Sequence, residues 1–358
     1  MDHLNQNIID TNMKKIFDKE YFATNSFVIA EIGQNHQGDI DLAKKYISEF
    51  ANAGADAVKF QTRNNKLLFS EESYNKDYNS DNAFAKKYGQ HRELLELDRS
   101  NYPELIDECK KNNVKFMCTP FDEDSLSFLV SVGVEILKIA SFDLGNLPFI
   151  DKIAQTKIPV VISVGGGNVD QIKSSVDTIL NHHDDLSILH CVSEYPCPHD
   201  RLGLENIKVL INAYPKTLIG LSDHFNGILS ASVAYLQGAR VFEKHVTFNR
   251  SWKGTDHKFS LESIGFKKMV RDLKRVPMMF SVKSDGSLGN EPVFIKLGKS
   301  LIAAHDIQKG DKFTKDNLSG KIFEENIIPV RESNNVIDKL AKINFKKGDP
   351  ITYDGIEG

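Results

Sequence analysis

The chain has 358 residues, 41% hydrophobic and 26% charged, so it can bury a sizeable core and is long for one compact domain. Its 45 basic and 49 acidic residues give a formal charge of −4, which excludes the basic stripe expected of a nucleic-acid binder and the polybasic patch expected at an anionic membrane. No apolar run approaches a spanning helix, Met1 to Tyr21 is polar rather than signal-like, and Cys109, Cys118, Cys191 and Cys197 are expected as reduced thiols, so the expectation is a cytoplasmic protein with a small-molecule substrate.

In chain order, short runs rich in Val, Ile and Phe predict strands at Phe27–Ile32, Ala57–Gln61, Val114–Cys118, Glu135–Ile139, Val160–Ser163, Ser187–Val192, Leu218–Leu221 and Arg240–Lys244. Amphipathic stretches between them predict helices, among them Asp41–Ala53, Tyr102–Asn112, Ser125–Val132, Val169–Leu180 and Ile228–Gln237, with a last one over Ile264–Arg275. Gly54, Gly133 and Gly238 each follow such a stretch and precede a strand, as left-handed caps do. Strict alternation through eight strands predicts an α/β fold, a (β/α)8 TIM barrel.

Residues 69–99 interrupt the alternation with Tyr74, Tyr78, Tyr88 and His91, a stretch that is either a lid over the strand ends or a disordered loop, and the lid is the favoured reading. The expected organisation is a barrel over 1–280 with an N-terminal extension, a small polar linker over 281–292, and a β-rich domain over 293–358. Within that last domain two Lys-Gly-Asp turns, Lys309-Gly310-Asp311 and Lys347-Gly348-Asp349, mark a pseudo-repeat.

In a parallel barrel, inward-facing groups at the carboxyl ends of the strands converge on one pocket. Here those ends carry Lys59, Lys138, Glu31 and, on strands seven and eight, His224 and His245. A lone histidine is more often a hydrogen-bonded core residue than a ligand, but two on adjacent strand ends suggest a divalent metal, and the lysines an anion site. Cys191 and Cys197 beside His190 lack the second pair that a zinc finger needs. His36, His190 and His257 are expected only to support the site.

Seven segments in order, Phe27–Asp39, Gly54–Thr62, Cys118–Asp122, Leu137–Ser141, Leu189–Pro198, Gly220–Gly227 and Phe242–His257, resemble the N-acetylneuraminate (sialic acid) synthase family, and the tail resembles its SAF, or antifreeze-like, domain. The resemblance implies a transferase that condenses phosphoenolpyruvate with an open-chain amino sugar to give a 2-keto-3-deoxy sugar acid and phosphate. It implies Mn2+ or Mg2+ held by His224 and His245, and a domain-swapped homodimer. It assigns phosphoenolpyruvate to Lys59, Lys138, Thr119, Ser141, Ser163, Ser193 and Ser222, and the sugar to Glu31, Gln61, Tyr195 and Asp256, with Glu31, Lys59 and Lys138 as the catalytic set.

The chain departs from the family pattern in its tail. Where the family carries Lys-Arg-Pro-Gly, with an arginine that binds the acyl amide, this chain has Lys321-Ile322-Phe323-Glu324, and an isoleucine offers none of arginine's donors. Arg331 is the nearby candidate to compensate. The acceptor therefore stays open between N-acetylmannosamine, a diacetamido hexose and an unacylated sugar or sugar phosphate. Condensation leading to an octulosonate-like acid and a non-catalytic sugar-phosphate or ice-binding protein are the alternatives.

Overall fold

The structure, a computed structural model, describes residues 15–280, 282, 289–325 and 327–357. Eight parallel strands close into a barrel in sequence order: β1 Phe27–Gly33, β2 Ala57–Thr62, β3 Lys115–Pro120, β4 Ile136–Ile139, β5 Val160–Ser163, β6 Leu186–Cys191, β7 Leu218–Asp223 and β8 Val241–His245. Pairing of Phe27 with Val241 through Glu31 with His245 completes the closure. Around the barrel run α1 Ile40–Asn52, then three short helices α2 Asn65–Leu68, α3 Glu71–Asn75 and α4 Tyr88–Glu93, then α5 Tyr102–Lys111, α6 Glu123–Val132, α7 Leu147–Gln155, α8 Val169–Leu180, α9 Asn206–Ala213, α10 Leu229–Leu236 and α11 Ser263–Met279.

Local chemistry sets these boundaries. Asp39 caps α1 by accepting from the amides of Asp41 and Leu42, and Asn168 with Gln171 forms a reciprocal capping box on α8. Gly133 ends α6 at φ +80°, in the left-handed region, and donates its N–H to Leu129 O; Gly54 and Gly238 follow their helices at φ +100° and +106°.

Alternate residues of each strand serve two cores. Outward side chains such as Val28, Val58, Phe116 and Phe242 pack with the helices, whereas Ile29, Ala57, Met117, Ile136, Val161, Leu189, Leu218 and Val241 fill the interior. Phe17, Phe22 and Phe27 plug the N-terminal mouth, with Phe27 edge-on to the other two at 5.6 and 6.0 Å. Asp185 holds that plug by accepting from the amides of Ile16 and Phe17 at 2.9 and 2.8 Å. All four cysteines are free and buried.

Residues 69–99, expected as a lid, are folded. Asp77 and Lys87 form an antiparallel bridge, and Tyr78 packs on His91 at 4.6 Å and on Tyr88 at 5.2 Å. The segment meets the loop after β8, where Gly254 N donates to Asn82 Oδ1 at 3.2 Å and Lys253 Nζ lies 5.0 Å from the Phe84 ring centroid.

Contacts divide the chain into two compact units, Met1–Phe280 and Ser281–Gly358. Most of the expected linker lies outside the described residues, and its end begins a short helix that the sequence does not announce, α12 Pro292–Leu297. The second unit contains an antiparallel pair, β9 Lys299–Ala303 and β10 Leu318–Ile322. Its Lys-Gly-Asp turns are related by a local pseudo-twofold. Asp311 Oδ2 accepts from Gln308 N and Asp349 Oδ2 from Lys346 N, both at 2.8 Å, and Ile307 bridges Phe345. Gly310 N donates to Ala341 O at 2.7 Å, and Gly348 N to Ala303 O at 2.8 Å, so each half supplies the other's partner. Ile322 is exposed at the end of β10, and the Arg331 guanidinium lies 5.5 Å from the Phe294 ring centroid within the same unit.

Candidate active site

The barrel's apolar floor gives way, two residues further along most strands, to Glu31, Lys59, Thr119, Lys138, Ser163, Cys191 and Glu243, and four residues along β7 to Ser222. With Gln61, Ser141, Tyr195, His224 and His245 they line a narrow cleft of about 60 Å³ at the C-terminal ends of the strands. Twelve of the thirteen side chains expected at the site line this cleft or, for Asp256, the wider cavity above it. Ser193 is the exception. It stands behind Gly165, where an added Cβ would lie 2.8 Å from Ser193 Oγ and 3.0 Å from Ser141 Oγ, so only glycine lets these hydroxyls gather.

Four buried charges alternate in the cleft. Lys59 Nζ lies 2.8 Å from Glu31 Oε2 and 3.6 Å from Glu243 Oε2, and donates to Thr119 Oγ1 at 3.3 Å. Lys138 Nζ donates to Ser163 Oγ at 2.6 Å and to Ile139 O at 3.0 Å, and Ser222 Oγ donates to Glu243 Oε1 at 3.0 Å. Burial raises the Glu31 carboxyl above its ordinary range against the pull of Lys59. Burial also acts on Glu243, but Lys138 and Lys59 outweigh it and hold that carboxyl low. The same balance splits the lysines. Burial opposes charge on both; Glu243 and Glu31 overcome it at Lys59 and raise its pKa, while Lys138 is lowered. The cleft thus holds a carboxyl disposed to carry a proton beside one disposed to stay ionised.

The two histidines are prepared as neutral donors of a lone pair. His224 Nδ1 lies 2.8 Å from Val192 O, and because a carbonyl only accepts, Nδ1 carries the proton and Nε2 is bare. Buried His245 Nδ1 has no hydrogen-bond partner and lies 3.7 Å from Asp256 Oδ2. Their ring centroids are 5.5 Å apart, and burial above all lowers both pKa values. Behind them, outward-facing Lys244 pairs with Asp223 at 2.7 Å, and Ser230 Oγ donates to the same Asp223 oxygen at 2.6 Å, bracing β7 against β8. Among the described residues no group of three or more His, Cys, Asp or Glu gathers to hold an ion.

His36, His190 and His257 do not line the cleft. His190 Nε2 is 2.7 Å from Leu202 O, His257 Nδ1 is 2.8 Å from Thr247 Oγ1, and His36 Nδ1 accepts from Gly38 N at 3.1 Å. Glu243 is the main residue that the sequence reading missed, although Val241, Glu243 and His245 share one face of β8. Arg63 is another. Its Nη2 donates to Gln61 Oε1 at 2.7 Å and its Nη1 to Glu96 Oε1 at 2.9 Å, while Gln61 Nε2 donates to Glu31 Oε1 at 2.7 Å. Above the cleft, and sharing Gln61, Tyr195 and His245 with it, opens a cavity of about 770 Å³.

A (β/α)8 barrel whose strand ends gather buried lysines, hydroxyls and paired neutral imidazoles has the character of an enzyme that handles an anionic substrate. A model of the NeuB family matches residues 46–284, and the chain belongs to that family. It is 34% identical over 355 residues to N-acetylneuraminate-9-phosphate synthase of Drosophila melanogaster, covering 92% of this chain and 95% of that one. It is likewise 34% identical over 332 residues to N,N'-diacetyllegionaminic acid synthase of Campylobacter jejuni, covering 91% and 98%. Among solved structures, the N-acetylneuraminic acid synthetase of Leptospira borgpetersenii in complex with citrate aligns with TM-score 0.66 at 31% identity, covering 75% of this chain and 91% of that one.

Proposed function

We propose that the chain condenses phosphoenolpyruvate with the open-chain aldehyde of an N-acetylated amino sugar, N-acetylmannosamine or a diacetamido hexose, yielding a 2-keto-3-deoxy nonulosonic acid and phosphate. The observation that carries this reading is the convergence of Lys59 and Lys138 with two neutral histidines in one buried cleft. Relatives named for a 9-phosphate product and for a diacetylated product are equally similar, at 34% identity, so identity does not choose the sugar.

Lys59 and Lys138 receive the phosphate and carboxylate of phosphoenolpyruvate, exchanging their attraction to Glu31 and Glu243 for the substrate's anionic groups. Thr119, Ser141, Ser163, Ser193 and Ser222 supply hydroxyl donors around them. His224 and His245 suit Mn2+ or Mg2+, since neutral imidazole is the ligand form and the Val192 carbonyl fixes the His224 tautomer. When bound, the ion supplies Lewis-acid polarisation of the aldehyde oxygen. The enol carbon of phosphoenolpyruvate attacks the aldehyde carbon, and protonated Glu31 delivers its proton to the new hydroxyl oxygen. Ionised Glu31 then takes one proton from the water that adds at the former enol carbon, and the tetrahedral species collapses to the ketone as phosphate leaves with the bridging oxygen and the remaining hydroxyl proton. Gln61, held between Arg63 and Glu31, orients that carboxyl, while Tyr195 and Asp256 contact the sugar.

The C-terminal unit is read as an SAF domain, and the active species as a domain-swapped homodimer. The exposed apolar side chains Val293, Phe294, Ile295 and Leu297 of α12 support an assembly that covers them. The test is incubation of phosphoenolpyruvate, Mn2+ and a panel of N-acetylated hexoses, with phosphate and 3-deoxy-2-keto acid both quantified. Equimolar release with one acceptor supports the reading, and phosphate release without keto acid defeats it.

A further inference from the structure

We propose that the buried pair of Lys244 with Asp223, which takes no part in the reaction itself, is a positioning device that holds His224 and His245 at the spacing a divalent ion requires. This rests on the assignment of the two imidazoles to the metal, and adds the residues behind them that set its affinity.

One ammonium reaches both chain neighbours of His224. Lys244 Nζ donates to Asp223 Oδ2 at 2.7 Å and to Phe225 O, and Asp223 Oδ1 accepts from Phe225 N at 2.9 Å. The turn that carries His224 is therefore closed on itself and tied to the residue that precedes His245. Strand register places Asp223 opposite Lys244, and Ser230 Oγ, at the second position of α10, donates to Asp223 Oδ2 at 2.6 Å, which anchors the pair in the helical layer. The backbone beside it is fixed as well, since His224 O accepts from Cys197 N at 3.0 Å and His245 O from Leu261 N at 2.8 Å. Both imidazoles thus share one anchor.

Stability does not call for an ion pair at this place. The two side chains are 1% and 4% exposed, and replacing so deeply buried a pair by neutral groups is often neutral or stabilising. Among the described residues every other outward strand position is uncharged, with Val58, Phe60, Leu137, Ile162 and Leu221 packing against the helices. The one charged pair in that layer stands directly behind the two imidazoles. A shift of either strand end would leave a buried charge without its partner, so the pair penalises every spacing but one. Groups behind metal ligands act on affinity in this way, by fixing the ligands before the ion arrives.

The experiment titrates Mn2+, read by electron paramagnetic resonance of the free ion, into wild type, Lys244→Met, Lys244→Arg, His224→Ala and the double variant Asp223→Asn/Lys244→Met, without substrates. Urea unfolding is run on the same proteins. Lys244→Met alone leaves the Asp223 carboxylate buried and unpaired, so the double variant is the decisive one: it is neutral at both positions and keeps an amide oxygen to accept from Phe225 N. It is expected to unfold at a urea midpoint close to that of wild type and to bind Mn2+ about 10- to 100-fold more weakly. Lys244→Arg, which keeps a charged donor for both acceptors, recovers most of that affinity. A folded double variant that binds Mn2+ within about threefold of wild type overturns the positioning role, and so does one too unstable to fold, which would make the pair structural. His224→Ala separates the two readings. Loss of affinity there, with wild-type affinity in the double variant, defeats the brace and leaves the metal assignment standing. Mn2+ binding that is absent in wild type, or unchanged by His224→Ala, defeats the metal assignment and the brace with it.

Discussion

Replacing Lys59 by methionine tests whether the cleft's four charges behave as one electrostatic unit. Lys59 stands 2.8 Å from one carboxylate oxygen and 3.6 Å from another, and all three side chains are almost wholly buried. At an effective dielectric of ~20 these contacts correspond to attractions of about 6 and 5 kcal/mol, before the cost of desolvating the ions. Because that cost offsets most of the attraction, the net loss expected is about 3–5 kcal/mol, the scale for removing one partner of a buried pair. Glu31→Gln combined with Lys59→Met removes a charge of each sign, so the double variant is expected to be more stable than the sum of the single losses by about 1–3 kcal/mol. Urea unfolding followed by circular dichroism at pH 7.5 measures all four forms, and a thermal melt of Lys59→Met is expected to show a midpoint about 5–9 °C lower. A Lys59→Met variant within about 1 kcal/mol of wild type, or strictly additive losses, would refute the coupled arrangement.

Asp56 lines a cavity at the other end of the barrel, where burial, only partly offset by the Val28 N–H and Lys274, pushes its carboxyl from 3.8 up to about 6. A raised carboxyl binds its proton more tightly in the folded state, so wild type loses stability as pH rises from about 4 to about 6. Asp56→Asn lacks that loss and is expected to be the more stable form above pH 6, by about 2–3 kcal/mol in urea titrations across pH 4–7.5; a pH-independent difference would contradict the assignment. His224→Ala and His245→Ala are each expected to weaken Mn2+ binding by more than about 100-fold, beyond the effect of changing an outer partner, and free-ion electron paramagnetic resonance reads this directly. Affinity unchanged in either variant removes that histidine from the metal site. In the C-terminal unit, Asp311→Ala and Asp349→Ala are expected to cost similar amounts, about 1 kcal/mol each, because each carboxylate closes the same turn; a several-fold disparity in chemical denaturation would break the pseudo-twofold account.

The barrel was legible because strands buried on both faces read as dense apolar runs with polar ends. The expected Leu218–Leu221 extends in the structure to Asp223 because Ser222 and Asp223 are strand residues whose polarity serves the cleft on one side and the Lys244 brace on the other. The same alternation along β8 contains Glu243, but attention to the strand's last residue, His245, passes over the position two before it. Arg63 carries no periodic signal; its place depends on how residues 65–96 fold back against the loop after β8, which is tertiary information. Tyr78, Tyr88 and His91 form the small core of that excursion. Helix α12 was hidden by its length and its initial proline. The Lys-Gly-Asp repeat was readable because two copies of one turn need the same residues.

The proposed condensation requires this cleft to break the carbon–oxygen bond of phosphoenolpyruvate after carbon–carbon bond formation. Phosphoenolpyruvate labelled with 18O at its bridging oxygen, turned over with Mn2+ and the best acceptor, tests it by mass spectrometry of both products. Condensation by this route puts the label in inorganic phosphate and draws the keto oxygen from water. Label retained in the organic product, or a phosphorylated acceptor in place of a new 3-deoxy-2-keto acid, would mean phosphoryl transfer and would contradict it.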